Sequence, residues 1–279
     1  MGSALSQTKT NIEVVIVDDY STDNTRELAH DIARADDRVR VLVNEQNVGP
    51  GESRNRAIEE ARGDWVAVLD ADDAWLPERL ERLSPFLAEA DVVTDDIVIE
   101  EAGKRTRTLL ASNGVRASGP FPLRPADLAR YGLGLLKPLV RRAFVQEHGV
   151  RYDGSLPVGS DFCFFVDLAL AGARWTQIPD AYYLYRRRAG SVTGDRREHL
   201  RGRLASDSLL LERPGVQDDP ALRGLLEERV AWLRDLDRLF AARERGWPAL
   251  ARSVAGDPRL AVTAVRHGFH VARRRIRSG

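Results

Sequence analysis

Trp65-Val66-Ala67-Val68-Leu69-Asp70-Ala71-Asp72-Asp73 is the stretch that decides how this chain is read. An unbroken apolar run of this kind is the pattern of a buried strand. Three carboxylates within four residues at its end repel one another unless a cation lies among them. A divalent ion bridging a phosphate is the simplest such cation. Oxygen-only ligands suit Mg2+ or Mn2+, which take one or two carboxylates and complete their shell with substrate phosphates. A plainer reading stands beside it, in which the cluster is a solvated turn capping the next helix. A calcium loop of the EF-hand kind is excluded, because Ala74 and Trp75 stand where that loop needs a ligand and its glycine.

Upstream, Ile12 to Val17 is a β-rich run that ends in Asp18-Asp19, and Ser21-Thr22-Asp23 supplies cap chemistry for a helix to about Ala35. Val39 to Val43 reads as a second strand, followed by the turn-rich Asn44 to Gly51 and a helix over about 52–61. Downstream, Pro77 opens a helix to about Ala88, and Asp91 to Ile99 is a further strand. This alternation predicts an α/β fold with a mostly parallel sheet flanked by helices. Residues 100–125, polar and rich in Gly, Pro and Arg, read as a long loop. Helical patterns return over 125–130 and 141–148. Gly159-Ser160-Asp161 then precedes an apolar helix, Phe162 to Ala171, with short strands at Trp175–Ile178 and Tyr182–Tyr185. The pattern beyond about Glu198 is helical throughout, which divides the chain into residues 1–195 and a helical region, 196–279.

Across 279 residues the formal net charge is +0, so no global field draws the chain to nucleic acid. Lysine is nearly absent, with only Lys9, Lys104 and Lys137. The single cysteine, Cys163, lies among Phe162, Phe164 and Phe165, excludes an internal disulfide and fits a reducing cytosol. No apolar run reaches the length of a membrane span. The basic tail Arg273-Arg274-Arg275-Ile276-Arg277 reads as a solvated end, or as a peripheral contact with anionic lipid at the inner membrane face.

Ligands of open α/β sheets sit at the carboxyl ends of the strands, where both Asp18-Asp19 and Asp70–Asp73 occur. At this point the sequence resembles the family 2 glycosyltransferases, which have the GT-A fold. Val15-Ile16-Val17-Asp18-Asp19-Tyr20-Ser21-Thr22-Asp23-Asn24-Thr25 is similar to that family's nucleotide-binding segment. Asn47-Val48-Gly49 and Ser53-Arg54-Asn55 resemble its next loop and helix start, and Leu69-Asp70-Ala71-Asp72-Asp73 its DxD motif. Gly159-Ser160-Asp161 resembles its Gly-Glu-Asp motif, with Ser160 in place of Glu. Tyr185-Arg186-Arg187-Arg188 through Thr193 is similar to its late arginine-containing segment.

The resemblance implies a metal-dependent, inverting, hexosyl-type transfer from a nucleotide-sugar donor, UDP at the family level, to a hydroxyl of a saccharide or lipid-linked acceptor in polysaccharide or glycoconjugate synthesis. It makes Asp161 the catalytic base and Asp19 a contact to base or ribose. It gives Asp70 and Asp72 to ribose and to Mg2+ or Mn2+, with Asp73 supporting. Arg54 falls within the donor-binding motifs, and Arg186 or Arg188 offsets phosphate charge. Simpler roles remain open: Asp161 as a helix cap, Arg54 and Asn55 as local helix partners, the late arginines as a solvated edge. The resemblance further implies a first strand preceding Ser3-Ala4-Leu5-Ser6-Gln7-Thr8, which this sequence does not show. Loss of a central strand leaves backbone groups on two neighbours unpaired, at a cost on the order of 1–3 kcal/mol each when buried. The competing expectation is therefore an impaired relic or a binding module on the same scaffold. A nucleotidyltransferase is disfavoured, because no Gly-rich, Arg/Lys-bearing phosphate loop follows the first strand.

Overall fold

β-Branched side chains pack well on a pleated surface, and the Val- and Ile-rich runs form strands as their composition dictates. The structure, a computed structural model, describes residues 1–101, 103–187 and 196–265. The chain separates into two compact units, Met1–Ser191 and Val192–Gly279.

The first unit begins with a short helix, Gly2–Leu5 (α1). Val14–Asp18 (β1) and Val39–Val43 (β2) then form a parallel pair joined by Thr25–Ala35 (α2). Gly49–Glu60 (α3) packs on β1 and leads to Trp65–Ala67 (β3). Ala74–Trp75 (β4) and Arg79–Leu83 (α4) follow, the expected helix from Pro77 being cut short by a 3-10 turn at Ser84–Phe86. The expected loop over 100–125 instead holds structure. The long strand Val92–Glu101 (β5) turns at Gly103, whose φ of 74° suits glycine, into Lys104–Thr108 (β6). Leu109–Ser112 (α5) and Phe121–Pro122 (β7) complete that segment. Pro125–Arg130 (α6), Leu139–Arg141 (β8), Arg142–Glu147 (α7), Ser160–Leu170 (α8) and Trp175–Arg187 (β9) close the unit. The two short strands expected in 175–185 are one continuous strand.

The sheet is mixed, not mostly parallel. β5 and β9 pair in parallel, and β3 runs in the same direction as β5. Between β3 and β5, however, lies β8, antiparallel to both. Strand–helix alternation fixes the direction of successive strands, and it carries no information about a later strand that inserts between two earlier ones.

One seam interrupts the sheet. Among the described residues β1 has β2 as its one ladder partner and β3 has β8, so the strands form a two-stranded and a seven-stranded sheet. The starts of β1 and β3 are nonetheless tied together, because the Glu13 carboxylate accepts the backbone N–H groups of Arg62 and Gly63. Val14 to Val17 and Trp65 to Leu69 stay partly exposed, unlike the closed core around Val92, Val93 and Ile97.

In the second unit Arg196–Leu211 (α9), Pro220–Glu244 (α11) and Trp247–Gly256 (α12) pack around Leu200, Leu233, Leu236, Leu239 and Leu260, and Pro214–Gln217 (α10) lies against α9 and α11. Asp219 caps α11 by accepting from the N–H groups of Ala221 and Leu222. No helix among the described residues is long and apolar enough to cross a membrane. Arg188 and the basic tail lie outside the described residues.

The seam has a measurable signature. Val14 N–H donates to Arg38 O and Asn44 N–H to Asp18 O, so Val14, Ile16 and Asp18 direct their backbone groups at β2 while Val15 and Val17 direct theirs at the seam. Hydrogen exchange followed by NMR should show Ile16 protected and Val15 and Val17 exchanging faster. Equal protection across the three would mean that the seam is closed in solution.

Candidate active site

A helix whose first turn is rich in Gly and Pro can bring its backbone close to a neighbour. At Gly51 a Cβ would stand 3.2 Å from the Asp153 carbonyl oxygen and Gly154 Cα, so glycine permits the approach of α3 to that loop. Asn55 fixes the contact: its side chain accepts from Tyr152 N–H at 2.8 Å and donates to Tyr152 O at 2.9 Å. At the head of α3, Asp19 accepts from the N–H groups of Val48 (2.9 Å) and Gly49 (2.8 Å) and from Asn44 Nδ2 (2.8 Å). Burial works against the Asp19 carboxylate, but these hydrogen bonds outweigh it and lower its pKa. Asp19 therefore orders the Asn44–Gly49 loop.

From the next turn of α3, Arg54 reaches two carboxylates. Its Nη1 donates to Asp161 Oδ1 at 2.6 Å and its Nη2 to Asp70 Oδ1 at 2.8 Å, with the guanidinium 5.4 Å from the Tyr152 ring centroid. Lys137 closes the arrangement. Its Nζ lies 2.9 Å from Asp70 Oδ2 and 2.8 Å from Asp161 Oδ2. Two cations and two carboxylates thus form a ring in which each carboxylate oxygen holds one cationic donor. Burial alone would raise the Asp70 carboxyl, but Lys137 and Arg54 hold it down to about 2. Burial would likewise depress the Lys137 ammonium, and Asp161 and Asp70 raise it instead.

Asp161 lies in the first turn of α8, where a negative charge is favoured by the helix dipole. The residue at the cap position is Gly159, with φ 88°, and the Asp161 carboxylate is engaged by Arg54 and Lys137, so it is not the cap of this helix.

The acidic turn divides its labour. Asp73 N–H donates to Asp70 O at 3.1 Å, closing the turn. Asp73 is buried; it accepts from the Tyr183 hydroxyl at 2.7 Å and from Arg186 N–H at 2.9 Å, which pin the turn to β9. Burial outweighs these bonds and raises its carboxyl. Asp72 alone, at the tip, has no hydrogen-bond or ion-pair partner among the described residues. The three carboxylates therefore do not converge as a joint ligand set, and no cluster of three acidic, His or Cys side chains among the described residues suits a metal. The donor set fits a cation held by Asp72 and otherwise by phosphate oxygens, an arrangement that suits Mg2+. The Arg186 side chain turns away to Glu100, 3.5 Å distant.

Lys137 was not among the residues singled out from the sequence. Its signal is a charge inside an apolar run, Leu133 to Val140, where an ammonium must find a partner. The structure supports it from behind. Arg79, fully buried, donates to Lys137 O and pairs with Asp95 (Nη2–Oδ1 2.8 Å) between the rings of Trp75 and Tyr183.

The family model described as Glycosyl transferase family 2 matches residues 1–132. The succinoglycan biosynthesis protein ExoO of Rhizobium meliloti is 32% identical over 95% of this chain and 78% of its own length. An Escherichia coli protein, UDP-Glc:alpha-D-GlcNAc-diphosphoundecaprenol beta-1,3-glucosyltransferase WfaP, is 28% identical over 71% of this chain and 74% of its own. Among solved structures, S. aureus TarS 1–349 in complex with UDP superimposes with a TM-score of 0.62 at 24% identity, covering 86% of this chain and 69% of that one, a likeness of fold.

The ring contributes stability with a definite pH dependence. The folded-state pKa of Asp70 is lowered, so its contribution is present above about pH 4 and disappears as pH falls toward 2. Asp70→Asn should lose about 2 kcal/mol in urea unfolding at pH 7. Its deficit relative to wild type should shrink steadily between pH 4 and pH 2. A pH-independent deficit would assign the loss to packing instead.

Proposed function

The chain belongs to glycosyltransferase family 2, and on that premise we propose that it transfers a sugar with inversion from a UDP-sugar to a hydroxyl of a saccharide or lipid-linked acceptor in cell-envelope polysaccharide synthesis. The fold it shares with the UDP-bound TarS supports the choice of nucleotide. The diphosphoundecaprenol-linked substrate named for WfaP supports the acceptor class.

One observation carries the reading. Asp161 is fixed beside Asp70, the first carboxylate of the acidic turn after β3, through two shared cations. A carboxylate oxygen holding one donor retains a lone pair, so Asp161 can still accept the proton of an acceptor hydroxyl. Inversion follows when that hydroxyl attacks the anomeric carbon from the face opposite the departing diphosphate. Asp72 would hold Mg2+ or Mn2+ against the diphosphate, and the bound ion would stabilise charge developing on the leaving group. Asp19 orders the Asn44–Gly49 loop, and Asp73 orders the acidic turn. The ribose and nucleobase contacts remain with Asp70 and with the segment around Asp19. Peripheral contact with the inner membrane face would bring a lipid-linked acceptor to this site.

The open seam favours one competing reading, a scaffold that binds nucleotide without turnover. UDP release from UDP-glucose, UDP-galactose and UDP-N-acetylglucosamine, with and without Mn2+ and a lipid-linked saccharide, separates the two. Transfer predicts metal-stimulated release; the scaffold predicts UDP binding with none. Asp161→Asn should lower release by at least about 100-fold while UDP binding in calorimetry stays within a few-fold. Asp72→Ala should abolish the Mn2+ dependence of UDP binding without lowering the melting temperature. Joint loss of binding and turnover in Asp161→Asn would give Asp161 a structural role.

A further inference from the structure

Lys137 is costly to place where it is. Its side chain is 5% exposed, between the fully buried Leu136 and Pro138. Taking an ammonium out of water is offset only by close partners, and a buried ion pair is in general no more stabilising than an apolar pair of the same volume. Stability alone therefore does not account for a lysine at this position.

Its geometry does. Lys137 and Arg54 each bridge Asp70 and Asp161, from opposite oxygens of each carboxylate: Oδ2 for Lys137, Oδ1 for Arg54. A carboxylate gripped at both oxygens cannot swing about its terminal torsion. Lys137 is itself fixed from the backbone by Arg79, whose guanidinium is anchored on Asp95. The loop that carries Lys137 lies close on α8, because at Gly134 a Cβ would stand 3.3 Å from Phe162 Cβ.

Building on the reading of Asp161 as base, we propose that Lys137 is a positioning residue of the transfer, which with Arg54 aims Asp161 and compensates charge as the leaving group departs. In the step, the acceptor O–H proton passes to Asp161. The freed oxygen pair forms the bond to the anomeric carbon. The bond from that carbon to the diphosphate oxygen breaks, and its electron pair leaves on the nucleoside diphosphate. The ring holds two positive and two negative charges before the step. Protonation of Asp161 leaves it with a net charge of +1 as the departing diphosphate gains −1. The cations released from Asp161 face the Asp70 side, where the family resemblance places the donor.

The test uses the full chain and the UDP-sugar of the three above that releases UDP fastest. Lys137→Ala should lower kcat by about 100-fold, the scale of a misplaced catalytic group, while KM and the affinity for UDP with Mn2+ change less than about threefold. Added methylamine, small enough for the vacated space, should restore kcat in a saturable way without altering KM. Lys137→Met keeps the length of the side chain and serves if the alanine variant does not fold. It should show the same kcat loss without rescue while its circular dichroism at the assay temperature matches wild type. Near-wild-type kcat in either variant overturns the proposal, as does a loss shared equally by UDP affinity and untouched by methylamine. Asp161→Asn separates the two failures. If it is inactive while Lys137→Ala is not, the Lys137 assignment falls alone. If it keeps turnover, or if the wild-type chain releases no UDP, the underlying reading falls and this inference with it.

Discussion

Four side chains from four separate parts of the chain, Arg54, Asp70, Lys137 and Asp161, neutralise one another within the first unit. No two lie within 15 residues of each other in sequence. Each pair is at normal ion-pair distance, and Lys137 has almost no access to water. Removing one member of such a set leaves a charge without a partner, a loss of about 3–5 kcal/mol for a fully buried pair and less where water reaches it. The arrangement is therefore cooperative. It forms only when α3, the end of β3, the loop before β8 and the start of α8 are all in place, so its presence reports that the site is assembled.

The parts of the site that are legible in the sequence are those whose chemistry is local. An apolar run ending in carboxylates declares a strand followed by a polar turn, and Asn47-Val48-Gly49 declares a tight turn before a helix. What is not legible is the division of roles within a cluster. Asp70, Asp72 and Asp73 look equivalent as a string, yet Asp70 is neutralised by cations from α3 and the β8 loop and Asp73 is held by β9. Those partners are 16 to 113 residues away, and only the folded topology selects them. Lys137 escapes for the converse reason. Its neighbours read as core and it belongs to no motif, although an ammonium among leucines already implies a buried counter-charge. The mixed sheet escapes because β8 enters between strands laid down earlier, a non-local event that strand–helix alternation does not encode.

The string of carboxylates and their folded environment differ in what they offer a cation. Three adjacent carboxylates suggest a resident ion, but two of them are already satisfied by the protein. A single free carboxylate binds a hard divalent cation weakly and needs phosphate oxygens to complete the shell. Arg54 and Lys137 are the fixed positive charge that the protein itself supplies beside Asp70.

The seam between β1 and β3 gives α3 a second task. A parallel ladder ordinarily fastens neighbouring strands through their backbones, and here no ladder joins β1 to β3. The connection runs through other contacts: Glu13 to the N–H groups before β3 and Arg54 to Asp70 beyond its end, with Asn55 to Tyr152 and the close approach at Gly51 fastening α3 to the loop before α8. Three of these four ties belong to α3, which is also packed on β1 and capped at its head through Asp19. An ion-pair tie is weakened by competing ions, to which a backbone ladder is far less sensitive. The Arg54–Asp70 contact of the site is thus also one of the contacts that hold α3, and with it β1, against the turn beyond β3.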